Sequence, residues 1–191
     1  MITGLRVPKK VMNLTNDELF DLCAANSDLN IERNANGELI IISPTGGLTG
    51  NRSSRILFAL YGWNNQYDVG FVFDSSTGFL LPDGSMRSPD CSWVSKPRWQ
   101  SLTRDQQEKF PPITPDFLVE LRSPSDDVAG LRGKMNAWIE NGARLAWLID
   151  PIDRKGYSFA PGRPARELSF DDALSGEDVL PGFFLKLESI E

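Results

Sequence analysis

The sequence predicts one domain of the α/β or α+β class, built around a mixed β-sheet that is flanked by helices. The chain has 191 residues, of which 40% are hydrophobic and 24% charged, values that suit a single globular domain with a core of its own. Short apolar runs typical of strands alternate with helical patterns. A strand, a helix and a second strand follow one another over residues 116–150, which predicts a right-handed parallel crossover. We therefore expect residues 1–191 to form one domain.

The predicted core order is helix, three strands, helix and strand, with additions at both ends. The segment "TNDE" at residues 15–18 forms a capping box that opens a first short helix. The segment "SPTGG" at residues 43–47 predicts a turn before the long second helix, and the runs at 69–75 and 77–81 predict an antiparallel pair. The remaining predicted elements are strands at 37–42, 88–94, 116–122 and 144–150, helices at about 49–66 and 103–109, and short strands within 156–188.

The segment "SPSD" predicts the start of the helix that crosses over between two strands. Ser123 can cap this helix, Pro124 suits its first position, and Asp126 interacts favourably with the helix dipole. Asn141 and Gly142 predict its end.

The chain contains no histidine, which excludes several kinds of catalytic site. Nucleophilic systems of the Ser-His-Asp and Cys-His types are absent, and so is zinc bound by histidine. The two cysteines, Cys23 and Cys91, lack the spacing of a metal site or a disulfide framework. A metal ion, if the protein uses one, must be a hard cation bound by oxygen.

The net charge of −6 argues against tight non-specific binding of nucleic acid, which depends on Lys and Arg. A local basic groove is still compatible with the sequence. No apolar run approaches the roughly 18 residues of a membrane span, and the N-terminus lacks the apolar region of a signal peptide, so we expect a cytoplasmic protein without a membrane partner. Candidates for a basic groove are Arg52, Arg55, Lys96, Arg98, Arg104, Arg132, Lys134 and Arg144.

The strand at residues 116–122 carries two charges in an otherwise apolar run. Because side chains alternate along a strand, Glu120 and Arg122 lie on the same face, where an unpaired charge is costly. Asp90 opens the apolar run at 88–94 in a similar way. If the two strands pair, the Asp90 and Glu120 carboxylates lie close together and repel unless a proton or a cation sits between them. Mg²⁺ suits such a pair; the alternative is that Glu120 and Arg122 pair with charges on a covering helix.

Lys134 is placed to complete this group. On the helical wheel it borders the buried arc of the crossover helix, which packs back on the sheet. A buried lysine can shift its pKa toward neutrality, whereas arginine stays charged. The alternative is a boundary lysine whose stem lies along apolar surface. We expect its nitrogen within about 6 Å of both carboxylates, close enough to affect each of them.

Several blocks of sequence together resemble a known family. They include "SPD" at residues 88–90, "PDFLVELRSPSD" at 115–126 and "KMNAWIENGARLAWLIDP" at 134–151. The chain resembles, over nearly its whole length, the Uma-two family of bacterial endonucleases, a branch of the PD-(D/E)XK nuclease superfamily. The resemblance implies a restriction-endonuclease-like core.

The resemblance assigns roles residue by residue. Asp90 matches the aspartate of the PD motif, a metal ligand, and Glu120 matches the acidic residue of the second motif, another ligand. The backbone carbonyl of Leu121 would be a third ligand. The lysine expected at the next position is replaced by Arg122, and Lys134 matches a lysine that has migrated to the following helix.

One further acidic residue is implied less directly. Glu38 resembles the additional carboxylate that the N-terminal region of such nucleases contributes, although a solvated glutamate at a strand edge explains it equally well. Arg122, which cannot easily act as a base, would clamp a phosphate or keep Glu120 ionised.

The resemblance implies a Mg²⁺- or Mn²⁺-dependent endonuclease that hydrolyses phosphodiester bonds of DNA, in the form of a homodimer. Two alternatives remain open from the sequence. Arg122 at the usual lysine position and the acidic composition fit a nuclease fold kept as a nucleic-acid or protein binding module. A metal-dependent phosphoesterase acting on small substrates is the third interpretation.

Overall fold

The computed structural model describes residues 4–191. In this part of the chain, no helix is long and apolar enough to cross a lipid bilayer. The helices are α1 (Asn16–Ala25), α2 (Gly47–Tyr67), α3 (Lys96–Gln100), α4 (Arg104–Glu108) and α5 (Val128–Glu140), with a short 3₁₀ helix at Leu187–Ile190. The strands are β1 (Gly4–Val7), β2 (Asn30–Arg33), β3 (Leu39–Ile42), β4 (Gly70–Asp74), β5 (Phe79–Leu80), β6 (Met86–Arg87), β7 (Cys91–Ser95), β8 (Phe117–Leu121), β9 (Leu145–Asp150), β10 (Lys155–Phe159), β11 (Arg166–Ser169), β12 (Ala173–Ser175) and β13 (Phe184–Lys186).

Six strands form the central sheet, in the order β11-β10-β9-β8-β7-β4. Strands β8 and β9 are parallel and are joined through α5, whereas the other neighbours are antiparallel. A second sheet has the order β1-β3-β2-β6-β5, and β12 pairs with β13. The mixed sheet flanked by helices confirms the predicted fold class, and the parallel crossover is present where it was predicted.

The two faces of the central sheet are covered by different helices. Phe117 and Val119 belong to the core beneath α2 and the C-terminal segment. Leu118 belongs to the core beneath α5, where Met135 and Trp138 are fully buried. This alternation follows from the period of two along β8, and it puts Glu120 on the face that α5 covers.

The predicted pairing of the runs at 69–75 and 77–81 is wrong. Strand β4 pairs along all five of its residues with β7, and the two-residue strand β5 pairs with β6 in the second sheet. A hairpin with β5 could satisfy only a few backbone groups of β4, whereas β7 satisfies the whole strand. The chain therefore leaves the central sheet after Asp74 and enters the other one.

The predicted start of α5 at Ser123 is also wrong. The Ser123 backbone N–H and hydroxyl donate to the Asp126 carboxylate at 2.8 and 2.6 Å, which closes a separate turn. The helix begins at Val128, where the Asp127 side chain accepts from two backbone N–H groups of the first turn. Its predicted end is confirmed, because Gly142 adopts a φ of +105° there.

Candidate active site

Asp90 and Glu120 face each other across neighbouring strands. Cys91 lies opposite Val119 in the antiparallel register of β7 and β8, so Asp90, one residue before β7, comes opposite Glu120. The Leu121 backbone N–H donates to Asp90 Oδ2 at 2.6 Å. Both carboxylates line one cavity of about 620 Å³.

Glu120 is held through one of its two carboxylate oxygens. Trp138 Nε1 donates to Glu120 Oε1 at 3.0 Å, and Lys134 Nζ lies 2.9 Å from the same oxygen. Both donors project from α5 onto the sheet. Because both contacts are made by Oε1, the second oxygen of Glu120 is left for another ligand.

Lys134 lies between two buried carboxylates. Its Nζ is 2.9 Å from Glu120 Oε1 and 3.3 Å from Glu32 Oε1, and its side chain is only 15% exposed. The helix that follows β8 therefore brings its lysine back to the sheet. Lys134 is the partner of Glu120, and the interpretation as a surface-lying boundary lysine does not describe its surroundings.

Glu32 is the member of this group that sequence reasoning missed. It lies on β2 in the second sheet, is 5% exposed, and accepts from the Ser88 backbone N–H at 3.0 Å as well as from Lys134. In the hairpin of β2 and β3 it is paired with Ile40, which lines the same cavity. The turn "NANG" between the two strands could have predicted this hairpin, but not that Glu32 faces the site.

The structure does not bring Glu38 together with Asp90 and Glu120 at the cavity. It lies at the turn of the same hairpin, where its carboxylate accepts from Asn34 Nδ2 at 2.8 Å. Asn34 Oδ1 in turn accepts from the Glu38 backbone N–H at 3.0 Å. These bonds stabilise the turn, and Glu38 does not line the cavity.

Arg122 lines the cavity, and its ion-pair partners are carboxylates other than Glu120. Its Nη1 lies 2.7 Å from Asp150 Oδ2 and 2.9 Å from Asp153 Oδ2. Asp150 is fully buried at the end of β9, so this ion pair joins the ends of the two parallel strands. The guanidinium is therefore paired with Asp150 and Asp153.

The site holds more negative than positive charge in a partly enclosed place. Burial and the nearby Glu120 charge raise the pKa of Asp90 to about 7, against the opposing effects of the Leu121 amide and Lys134. Burial raises the pKa of Glu120 as well, with Glu32 adding to this effect and Lys134 opposing it. Burial acts to lower the pKa of Lys134, but the Glu120 and Glu32 charges outweigh it and raise that pKa above its usual range. Lys134 is therefore a fixed cation, and not a base tuned toward neutrality.

The residues present fit a divalent cation bound largely by oxygen. Within residues 4–191, no three acidic or cysteine side chains converge closely enough to hold a metal by themselves. Mg²⁺ needs only one or two carboxylates and completes its shell with water and substrate oxygens, and Asp90 and Glu120 supply that pair. The Leu121 N–H points to Asp90, and on a strand the C=O of the same residue points the same way, so this carbonyl suits a third ligand.

A pH titration of stability tests the charge balance at Asp90. Its pKa is raised from an ordinary 3.8 to about 7, so its contribution to stability is present below pH 4 and is lost as the pH rises through 7. In the metal-free protein, the free energy of unfolding of Asp90→Asn minus that of wild type is expected to increase as the pH rises from 4.5 to 8, because only the wild type has a carboxyl group here to lose a proton. Urea denaturation in EDTA measures this difference, and a difference that does not change with pH would contradict it.

Trp138 offers a second test, through its hydrogen bond to Glu120. Trp138→Phe keeps an aromatic ring in the core and removes the N–H donor, so we expect Mn²⁺ affinity to fall about 10- to 100-fold, as for other groups that orient a metal ligand. Trp147→Phe is the matched control, because Trp147 is equally buried and its Nε1 has no hydrogen-bond partner. Calorimetric titration with Mn²⁺ measures both; equal losses in the two variants would mean that packing alone is responsible.

Glu120 on β8 and Asp90 just before β7 thus form a carboxylate pair beside a buried lysine of the crossover helix. A family model described as "Uma2: Putative restriction endonuclease" matches residues 16–188. The chain belongs to this family, which confirms the resemblance drawn from its sequence blocks.

The fold is shared with a solved structure. The crystal structure of a "putative nuclease belonging to DUF820" from Anabaena variabilis superposes with a TM-score of 0.75 and 17% sequence identity, covering 93% of this chain and 97% of that one. No curated protein matches the chain. At this identity the match shows a shared fold alone.

Proposed function

We propose that this protein is a Mg²⁺-dependent endodeoxyribonuclease that hydrolyses phosphodiester bonds of DNA, with Mn²⁺ as an alternative cofactor. The observation that carries the proposal is that Asp90, Glu120 and Lys134 line the same cavity. Lys134 Nζ lies 2.9 Å from Glu120 Oε1 there. Membership of a family described as restriction endonucleases supports the same function.

The roles of the residues follow from their positions. Bound Mg²⁺ would polarise a phosphodiester and lower the pKa of a bound water. Asp90, Glu120 and the Leu121 carbonyl would hold the cation. Lys134, kept protonated by its two carboxylate partners, stabilises negative charge that develops on the phosphate. Glu32 holds Lys134 in place and tethers the backbone of Ser88, next to the PD motif.

A cleavage assay tests this proposal. Plasmid DNA is incubated with the protein in Mg²⁺, Mn²⁺ or EDTA, and the conversion of supercoiled to nicked and linear forms is followed. Cleavage with either metal and none with EDTA is expected. Absence of cleavage in both metals, across duplex and single-stranded DNA, would reject the nuclease.

One observation favours a catalytically inactive, nucleic-acid-binding relative as the alternative. Lys134 contacts both Glu120 and Glu32, so the site neutralises part of its own charge without a metal. If this alternative is correct, Mn²⁺ titration of the wild type and of Asp90→Asn will give the same apparent affinity. If the protein is a nuclease, the wild type will bind Mn²⁺ saturably and Asp90→Asn will lose this binding.

Three further features belong to the same proposal. We propose that residues 1–191 act as one nuclease domain and that the protein works as a homodimer, since cutting both strands of a duplex is served by two related sites. Its place of action is proposed to be the cytoplasm, where the DNA substrate would be met. Light scattering at several protein concentrations tests the dimer.

A further inference from the structure

Arg52 is a cation of the cavity wall that the carboxylate site does not use. It lies in the second turn of α2, and it lines the same cavity as Asp90 and Glu120. Two other cations line this cavity, Lys134 and Arg122. Each of them is within 3 Å of a carboxylate oxygen.

Arg52 has no such partner in the part of the chain that the structure describes. No carboxylate of residues 4–191 lies within ion-pair distance of it, and its Nε is enclosed without a hydrogen-bond partner. The side chain is half-buried. No carboxylate of the described residues therefore neutralises the Arg52 charge, and this charge is available to an anion that enters the cavity from outside the chain.

The surroundings of Arg52 favour an anion with several oxygens. The loop before α2 contributes hydroxyl groups and backbone from Ser43, Thr45 and Gly46 to the same wall. Gly46, the residue that caps α2, makes no side-chain cap, and a Cβ added there would meet nothing within 4 Å. Open space therefore lies beside Gly46 in the cavity that Arg52 also lines, and the planar fork of an arginine matches phosphate oxygens.

We infer that Arg52 is a substrate-binding residue that holds a backbone phosphate of the nucleic acid while Asp90 and Glu120 act on the scissile one. The inference rests on the proposed function and deepens it. Arg52 supplies positive charge in a cavity where four carboxylates, those of Glu32, Asp90, Glu120 and Asp126, face the substrate, and so helps an acidic protein accept a polyanion.

The experiment compares Arg52→Ala with Arg55→Ala. Arg55 lies one turn further along α2, outside the cavity, where it donates to Asn51 and to the backbone of Ser189 and Glu191. The two variants remove the same charge from the same helix. Fluorescence anisotropy of labelled duplex and single-stranded DNA in EDTA measures affinity over a range of salt concentrations.

For Arg52→Ala we expect an affinity loss of about 10- to 100-fold. The slope of log affinity against log salt should also become shallower by about 0.9 for duplex DNA, the value for one phosphate contact. Arg55→Ala should remain within about twofold of wild type. Arg52→Lys keeps the charge but loses the planar guanidinium, so its affinity for DNA should lie between those of Arg52→Ala and Arg55→Ala. If Arg52→Ala does not fold, Arg52→Lys replaces it in the comparison.

A second probe separates this inference from the proposed nuclease. Inorganic phosphate at constant ionic strength should raise the melting temperature of wild type and Arg55→Ala, and not that of Arg52→Ala. If Arg52→Ala alone loses DNA affinity but wild type cuts no DNA in either metal, the phosphate contact stands and the nuclease is rejected; if wild type binds no DNA, the contact is overturned even where phosphate protects. If Arg52→Ala and Arg55→Ala bind DNA alike, the inference is overturned, whatever the cleavage assay shows; a loss of DNA affinity confined to Arg52→Ala supports it.

Discussion

Replacing Asp90 by Asn, or Glu120 by Gln, is expected to lower metal-dependent DNA cleavage by about a thousandfold or more. Each change keeps the shape of the side chain and removes one of the two charges that would hold the cation. A catalytic metal contributes several kcal/mol to the stabilisation of the transition state, and each 1.4 kcal/mol is a factor of ten in rate. Steady-state cleavage of a labelled duplex in Mg²⁺ measures the loss.

Glu38→Gln is the matched control for both variants. Glu38 is the third acidic residue that the sequence suggests for the site, but it lies at the hairpin turn and bonds to Asn34. We expect Glu38→Gln to cleave DNA at the wild-type rate. Activity within tenfold of wild type for Asp90→Asn or Glu120→Gln would remove the basis of the proposed mechanism.

Replacing Lys134 by Met is expected to destabilise the metal-free protein by about 3–5 kcal/mol at pH 8, the usual cost of breaking a buried ion pair from one side. Glu32 and Glu120 are each 5% exposed, and both would lose the ammonium that they share. The loss should be smaller at pH 5, because the pKa of Glu120 is already raised by burial and would rise further without Lys134, so that a proton can replace the missing charge. Urea denaturation at the two pH values measures both effects.

Lys155→Met shows what the same substitution does at the surface. Lys155 Nζ lies 2.5 Å from Glu167 Oε1, with both side chains more than 40% exposed, and pairs of this kind contribute about 0–1 kcal/mol. The double variant Glu32→Gln with Lys134→Met should recover part of the lost stability, because it removes one of the two unpaired charges. If the free energy of unfolding of Lys134→Met stays within 1 kcal/mol of wild type at pH 8, Lys134 does not form its buried ion pairs with Glu32 and Glu120 in solution.

Local patterns predicted the elements that carry the two carboxylates. The apolar runs around Asp90 and Glu120 predicted β7 and β8, and the period of two along β8 placed Glu120 and Arg122 on one face. The wheel position of Lys134 predicted its approach to the sheet. These inferences hold because strand alternation and helix periodicity depend on neighbouring residues alone.

Contacts between distant segments do not follow from strand alternation or helix periodicity. Arg122 has the sequence position of a catalytic lysine, but its partner is Asp150, 28 residues further along at the end of β9. The start of α5 was misplaced because both Ser123 and Asp127 are good cap residues, and Asp126 closes a turn on Ser123 instead. Competition between equally suitable local bonds is decided by the packing around them.

By itself the sequence determined the class of fold, the strands that carry Asp90 and Glu120, and the oxygen-based chemistry that a chain without histidine must use. Only the tertiary structure decided which charges meet. Glu32 contacts Lys134 although the two residues are 102 positions apart in the sequence. Glu32 belongs to the second sheet, and the packing of that sheet against α5 joins distant parts of the chain. Electrostatic energy depends on distance and burial, and for residues so far apart in the chain both are set by how the two sheets and α5 pack together.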